Sequence, residues 1–367
     1  MVDLMHRKRF LSLRAFAVFG FTLVSLGCLP NALKADGSPQ VVASRVAEFH
    51  ETSEQWSLAF NPNGQQLATS SPTNDEIHIW QWAGRSHITK TLNVLRSGNP
   101  NGLFYSPNGK FLAGGHPVAD GDKLLRVWNS STGEIVRDIS DPIGGSRFFG
   151  VAFSPDSHLL MRSQETGALV GDNFVVDSTE SWERSWGLRT SPFEPATFAL
   201  SRDGRFVALG GSVRVATDGA KPYLQPQIKI INSEKREIVR SFDVLSPSCE
   251  LRFVAWNPDG TRIAVGGRPV FGGSRLRHAT IQMIDVSGGT IQEYQSGQAS
   301  HVRALIYTPN SKYLIIGWDD IVEIWNSQWT EKLQSIPVAP SAVVVSTDGQ
   351  YMAVAALDKT ISVWTLR

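Results

Sequence analysis

The chain is short of the residues that staple, charge or catalyse. Its 367 residues include only 2 Cys, Cys28 and Cys249, too few for a disulfide framework or a four-thiolate zinc site. Charged residues make up 19% and the formal net charge is +1. That balance excludes the charge excess of a disordered chain and the basic character usual in a nucleic-acid-binding domain. No Gly-x-Gly occurs, so a dinucleotide fingerprint and a kinase glycine loop are both absent, as is a Walker A sequence. Gly-x-Ser-x-Gly, Ser-x-x-Lys and His-Glu-x-x-His are missing too. His50, His78, His87, His116, His158, His278 and His301 show no metal-ligand spacing. Asp120-Gly121-Asp122 lacks the further carboxylates of a calcium loop and reads as a tight turn. Neither a metal nor a cofactor is expected, and the missing motifs lean against an enzyme.

Long apolar runs are scarce as well. The one that stands out, Ala15 to Leu29, spans 15 residues behind a basic head of Arg7, Lys8, Arg9 and Arg14. It is short of the roughly 20 residues of a membrane span and suits the apolar region of a secretory signal over residues 1–35. Two processing routes are open. One is cleavage after Ala35. The other follows from Val24-Ser25-Leu26-Gly27-Cys28, which resembles a bacterial lipobox and makes Cys28 a lipidation candidate. Export to the periplasm or outer envelope is the expectation, with a membrane contacted only through such a lipid. Removing residues 1–35 leaves 30 basic against 33 acidic residues, a mildly acidic remainder of −3. Cys249 is then an ordinary small side chain rather than a nucleophile.

What the sequence has in abundance is turn punctuation, with 32 Gly and 19 Pro. One turn recurs seven times: Asn61-Pro62-Asn63-Gly64, Ser106-Pro107-Asn108-Gly109, Ser154-Pro155-Asp156-Ser157, Ser201-Arg202-Asp203-Gly204, Asn257-Pro258-Asp259-Gly260, Thr308-Pro309-Asn310-Ser311 and Ser346-Thr347-Asp348-Gly349. Each position has a reason. Ser or Asn bonds the backbone, Pro presets φ, Asp or Asn suits the third place, and Gly closes a type I turn. The copies are 45, 48, 47, 56, 51 and 38 residues apart. Periods of this size joined to short strands mark propeller blades. A second landmark is a period-two strand: Ile77-His78-Ile79-Trp80, Leu125-Arg126-Val127-Trp128, Val322-Glu323-Ile324-Trp325 and Ile361-Ser362-Val363-Trp364. Asp122, Asp319 and Asp358 each stand six residues before such a Trp.

On these turns and Trp strands the chain resembles the WD40-repeat family over roughly residues 41 to 367. The resemblance implies an all-β fold, a seven-bladed propeller of four-stranded antiparallel blades. Val41 to Phe49 would supply the outer strand of the last blade and close the ring. Departures accompany it. The Gly-His dipeptide that precedes each first strand is missing, none of Trp80, Trp128, Trp325 and Trp364 is followed by Asp, and Asn173 to Asp177 replaces the Trp strand in blade three. The family's Asp-His-Ser-Trp hydrogen-bond network is therefore incomplete in most blades. Trp56, Trp80, Trp128, Trp256, Trp325 and Trp364 are expected in the core.

Function is expected on variable loops carried by this rigid frame. Insertions fall at about 114–123, 210–227 and 266–279, on the face shared with the interblade loops. They carry Arg268, Phe271, Arg275, Arg277 and His278 in blade five, and Arg214, Lys221 and Tyr223 in blade four; Arg147 and Phe148 add to the rim. Arg and Tyr are residues of binding hot spots. The sequence thus predicts a monomeric, non-catalytic propeller binding a protein or peptide, with nucleic acid a poor partner for an exported protein. The alternatives are an enzyme or small-ligand propeller with its site at the central channel mouth, and a purely structural envelope lipoprotein.

Overall fold

A computed structural model describes residues 41–367 apart from 72, 74–75, 94–101, 118–122, 141–147, 165–170, 218–219, 246–248, 270–277 and 296–300. The expected signal region and Cys28 lie outside the described residues, as do Arg147, Phe271, Arg275 and Arg277. Strand β1 (Ala43–His50) comes first. Blade 1 holds β2 (Ser57–Phe60), β3 (Gln66–Ser70), β4 (Glu76–Gln81) and β5 (His87–Asn93); blade 2 holds β6 (Leu103–Tyr105), β7 (Phe111–Pro117), β8 (Lys123–Asn129) and β9 (Ile135–Ser140). In blade 3 are β10 (Phe148–Phe153), β11 (Leu159–Gln164), β12 (Phe174–Ser178) and β13 (Arg184–Leu188), and in blade 4 β14 (Phe193–Leu200), β15 (Phe206–Thr217), β16 (Ala220–Asn232) and β17 (Glu237–Asp243). Blade 5 consists of β18 (Cys249–Trp256), β19 (Arg262–Pro269), β20 (Thr280–Asp285) and β21 (Gly289–Gln295). Blade 6 consists of β22 (Ala304–Tyr307), β23 (Tyr313–Gly317), β24 (Val322–Asn326) and β25 (Lys332–Ile336). The last blade combines β26 (Pro340–Val345), β27 (Tyr351–Ala356) and β28 (Thr360–Leu366) with β1, in the order β1-β28-β27-β26. Every sheet is four-stranded and antiparallel, and no helix occurs among the described residues.

The ring closes as its repeat count requires, which removes the sheet edges a ladder of open blades would expose. Ala43 faces Leu366 and His50 faces Thr360 across the β1–β28 ladder. A clasp from blade 6 reinforces it. The Gln334 carboxamide on β25 accepts from the Val42 and Ala43 amides at 3.0 and 2.9 Å, and donates to the Ala43 carbonyl at 3.1 Å.

The seven turns behave alike. In each, the fourth residue donates its amide to the carbonyl of the first, at 2.8 to 3.0 Å. That fourth residue has positive φ throughout, from 61° at Ser311 to 77° at Gly260. Glycine takes this conformation without strain, and the two serines, Ser157 and Ser311, take it at a cost. The third-position acid is locked by the first: the Ser154 hydroxyl and then the His158 amide hold the Asp156 carboxyl below its ordinary range.

Between blades the core is built from paired faces. Trp128 of blade 2 is fully buried with Leu103 and Leu112 against Ala59, Ile77 and Ile79 of blade 1. Burying each such side chain contributes about 1.5–3 kcal/mol. The contact is close enough that a Cβ on Gly114 would meet Leu103 and Trp128 at 3.2 and 3.3 Å. A bulge recurs between the third and fourth strands of every blade, at the Trp position, as between Ile79 and Trp80 or Ile324 and Trp325. In the last blade it falls on β1, between Arg45 and Ala47, across from Trp364. Such bulges add the local twist a blade needs.

Strand three also carries a polar residue two places before the Trp position, and each blade satisfies it differently. In blade 1 it is His78, in blade 2 Arg126, in blade 5 Gln282, in blade 6 Glu323 and in the last blade Ser362, all buried. Arg126 forms a two-bond pair with Asp138 on β9, at 2.6 and 2.7 Å. Glu323 accepts from the indoles of Trp318 and Trp325, both at 3.0 Å, and from Lys332 at 2.9 Å. In blade 1 the hub is Glu51, just after β1. Its carboxylate accepts from Thr69 Oγ1 at 2.7 Å, from the Trp80 indole at 2.7 Å and from His78 Nδ1 at 2.9 Å. Burial alone pushes the Glu51 carboxyl up, but the bonds from His78, Thr69 and Trp80 outweigh it, and the net shift is down. In blades 1 and 6 the missing Asp-His-Ser-Trp network is therefore replaced by carboxylate hubs of another geometry.

Candidate functional site

The first strands of all seven blades line a central channel of about 1040 Å³. Their chain direction sets the chemistry of its two ends. Each first strand starts on the face of the interblade segments and the hairpins joining strands two and three, here the upper face. It ends on the lower face, at the seven short turns.

Charged and aromatic residues gather at the upper mouth. Trp56, immediately before β2, lines the channel with 53% of its surface exposed, and its indole donates to Glu54 at 2.9 Å. Trp56 is therefore not a core residue, because its place before the strand leaves it above the layer that the neighbouring blade covers. Trp80, Trp128, Trp256 and Trp325 are buried, and Trp364 is half-buried. On blade 5, Arg252 and Arg268 flank Glu250, at 3.1 and 2.8 Å. On blade 6, Arg303 and His301 meet Asp319, at 3.1 and 3.2 Å, and the His301 amide also donates to Asp319 at 3.1 Å. Asp319 is one of the three aspartates that stand six residues before a Trp. Arg252 and Arg303 both line the channel, with side chains 47% and 41% exposed.

The predicted loop patch is only partly assembled. Arg268 closes β19 and lies in the Glu250 cluster. His278 sits just before β20 with its Nδ1 buried and without a hydrogen-bond partner among the described residues. Segment 210–227, expected as a loop, is instead paired strand over its described residues, 210–217 and 220–227. β15 and β16 run as a hairpin past their neighbours: β14 pairs only as far as Val213, and β17 only as far as Gln227. The register explains why no loop forms. Strand alternation simply continues through Arg214 opposite Leu224 and Val215 opposite Tyr223. Residues directly opposite share a face, so exposed Arg214 and Tyr223 stand on opposite faces of this arm. Lys221 lies in β16 and Phe148 in β10, but their side chains are outside the described residues. Cys249 is buried at the start of β18 among Leu245 and Leu251, as an ordinary small side chain.

Trp56 and the Arg252–Glu250 and Arg303–Asp319 pairs were not singled out by the sequence as a site. The signal that could have found them is positional: each first strand lines the channel, so polar residues at its start must crowd the mouth.

The architecture defines a closed seven-bladed β-propeller. A family model described as WD domain, G-beta repeat matches residues 44–81 and 334–365, which fall largely in the first and the last blades of this propeller. SEC12-like protein 2 of Arabidopsis thaliana is 25% identical over 168 residues, 45% of this chain and 40% of that protein. The match thus spans well under half of that relative. Among solved structures, Kuenenia stuttgartiensis hydrazine synthase superposes with a TM-score of 0.67 at 17% identity, covering 86% of this chain and 96% of that one. At that identity the likeness is one of fold alone.

Proposed function

We propose that the protein is a non-catalytic binding propeller that holds a protein or peptide partner at the upper channel mouth. The observation that carries this reading is that the half-exposed indole of Trp56 and two half-exposed guanidinium groups, Arg252 and Arg303, line one channel of a rigid ring. Aromatic and Arg side chains dominate binding hot spots, and strand-mounted ones lose little freedom on binding. The carboxylates at the mouth are engaged with guanidinium groups, an arrangement that orients a ligand rather than leaving a base free to take a proton.

Export to the periplasm or outer envelope, with Cys28 as lipid anchor, belongs to the same reading and rests on the basic head and apolar run of residues 7–29. The test is photo-crosslinking in envelope extracts from position 52, exposed in the segment that leads to Trp56, with position 108 on the lower face as control. A partner trapped from 52, and lost when Arg252 and Arg303 are changed together to Ala, supports the reading. Equal crosslinking from both faces overturns it. Palmitate label on Cys28 supports the lipid route, and a mature N-terminus at Asp36 excludes it.

A second reading, an enzyme or small-ligand propeller, is favoured by one observation: His301, Arg303 and Asp319 converge at the mouth of a channel large enough for a small molecule. A His301→Gln variant that retains the crosslinked partner but loses a small-molecule ligand would move the balance to it.

A further inference from the structure

We propose a second binding site, on the lower face at the seam between blades 1 and 2, that takes an uncharged polyhydroxylated ligand of the saccharide class. It opens on the side opposite the channel mouth, so it stands independently of the function proposed above. The cavity encloses about 640 Å³, within the roughly 300–1,000 Å³ usual for small-molecule pockets.

The unused hydrogen-bonding capacity of its walls defines the ligand. Four carboxamides border the cavity: Asn61, both ends of which bond Gln66, and Asn63, Gln66 and Asn108, whose oxygens are already engaged. Asn63 Oδ1 accepts from the Gln65 amide at 2.9 Å, and Asn108 Oδ1 accepts from Ser106 Oγ and the Lys110 amide at 2.8 and 3.0 Å. Gln66 Oε1 accepts from Asn61 Nδ2 at 3.5 Å. The local turns thus fix the three amide groups and leave their NH₂ donors for a ligand. The hydroxyls are complementary. Thr89 donates to the Ile79 carbonyl at 3.0 Å and Ser130 donates to the Gly109 carbonyl, so each keeps lone pairs as acceptors. The Tyr105 phenol also lines the cavity and can both donate and accept.

Fixed donors interleaved with fixed acceptors match vicinal hydroxyls, which donate and accept from one atom. Charge is nearly absent. Among the described residues no carboxylate lines the cavity, and the one cation that does, Lys90, is turned onto the Ser130 and Ser131 carbonyls.

The seam between blades 4 and 5 is an internal comparison. Arg240 stands there where Lys90 stands, bonding the Val286 carbonyl of the next blade, and Trp256 stands in place of Tyr105. That pocket of about 440 Å³ is walled by Phe206, Ile230, Val239, Val286 and Trp256, with Thr261, Asp285 and Ser287 also on its lining. The same place in the repeat is largely apolar in one seam and carries four carboxamides in the other. The polar lining therefore belongs to this seam and is not demanded by the fold.

The test is calorimetric titration of the full chain with maltotriose, cellotriose and chitotriose, with glucuronate and inorganic phosphate as charged comparisons. Saturable binding of at least one neutral trisaccharide is expected. Tyr105→Phe and Gln66→Glu, which keep shape and internal bonds while removing a donor, should each weaken it about fivefold, as one lost hydrogen bond does. Arg240→Met, in the other seam, should leave it unchanged. The proposal is overturned if no neutral trisaccharide saturates, if glucuronate or phosphate binds more tightly, or if both seam variants bind like the parent while melting normally.

Discussion

Replacing Glu51 probes whether carboxylate hubs really substitute for the family's missing network. Its side chain is 2% exposed and accepts from three donors: Thr69 Oγ1, the Trp80 indole and His78 Nδ1. Glu51→Ala strands all three. An unsatisfied buried donor costs about 1–3 kcal/mol, and water entering the vacated space relieves part, so a loss of about 3–5 kcal/mol is expected. Glu51→Gln keeps one oxygen for Thr69 and Trp80 and turns an NH₂ toward His78. That imidazole can then accept at Nδ1 and donate from Nε2 to Glu76, which lies at 3.1 Å. Only charge assistance is lost, about 1–2 kcal/mol.

The pH dependence has a definite sign. The His78 pKa is raised above 6.5, first by the bond to Glu51, against desolvation, and then by Glu76. Its contribution is full below 6.5 and fades as pH rises through the folded-state value. The Glu51 pKa is lowered from 4.5, so its contribution is full above 4.5 and fades as pH falls through the folded-state value. The gap between parent and Glu51→Gln should therefore be widest between 4.5 and 6.5 and narrow at alkaline pH. Urea unfolding followed by Trp fluorescence, at about pH 5.5 and about pH 8.5, measures it. A Glu51→Ala variant within about 1 kcal/mol of the parent, or a gap that widens at alkaline pH, refutes the hub.

Further outcomes follow from the turns, seams and closure. Ser311→Gly should raise stability by up to about 1 kcal/mol, because exposed Ser311 holds φ of 61° that glycine adopts freely; thermal melting checks it. Gly211→Ala should cost about 1–3 kcal/mol in the same assay, since its Cβ would lie 2.1 Å from the Glu194 carbonyl oxygen, a backbone atom no rotamer can move. Gln334→Ala removes the three bonds that grip Val42 and Ala43, and should speed amide exchange in β1 more than in any interior strand. Trp56→Ala should leave unfolding within about 0.5 kcal/mol of the parent while abolishing partner crosslinking at the upper mouth; a large loss of stability would return Trp56 to the core.

The blade count and the closure by Val41 to Phe49 were legible because they depend on local chemistry. A Pro-Asn-Gly turn or a period-two strand needs only its own few residues, and seven copies set the ring. The same logic misled at Trp56, where the strand pattern reads as core although the residue lies just ahead of the covered layer. It misled again at 210–227, where an interval of 56 residues suggested a loop. Strand pairing continues there, with Arg214 opposite Leu224, Val215 opposite Tyr223 and a single register shift between Val215 and Thr217.

The sequence by itself determined the architecture, through repeated turns whose backbone geometry is dictated within four residues. Only the tertiary structure decided which side chains meet. Glu51 reaches His78 and Trp80 across 27 and 29 residues, and Glu250, Arg303 and Trp56 arrive at one mouth from three blades. The walls of the polar seam come from two blades in the same way. Contacts of that separation are set by how strands align in register and blades pack in a closed circle, and no local spacing in the chain encodes them.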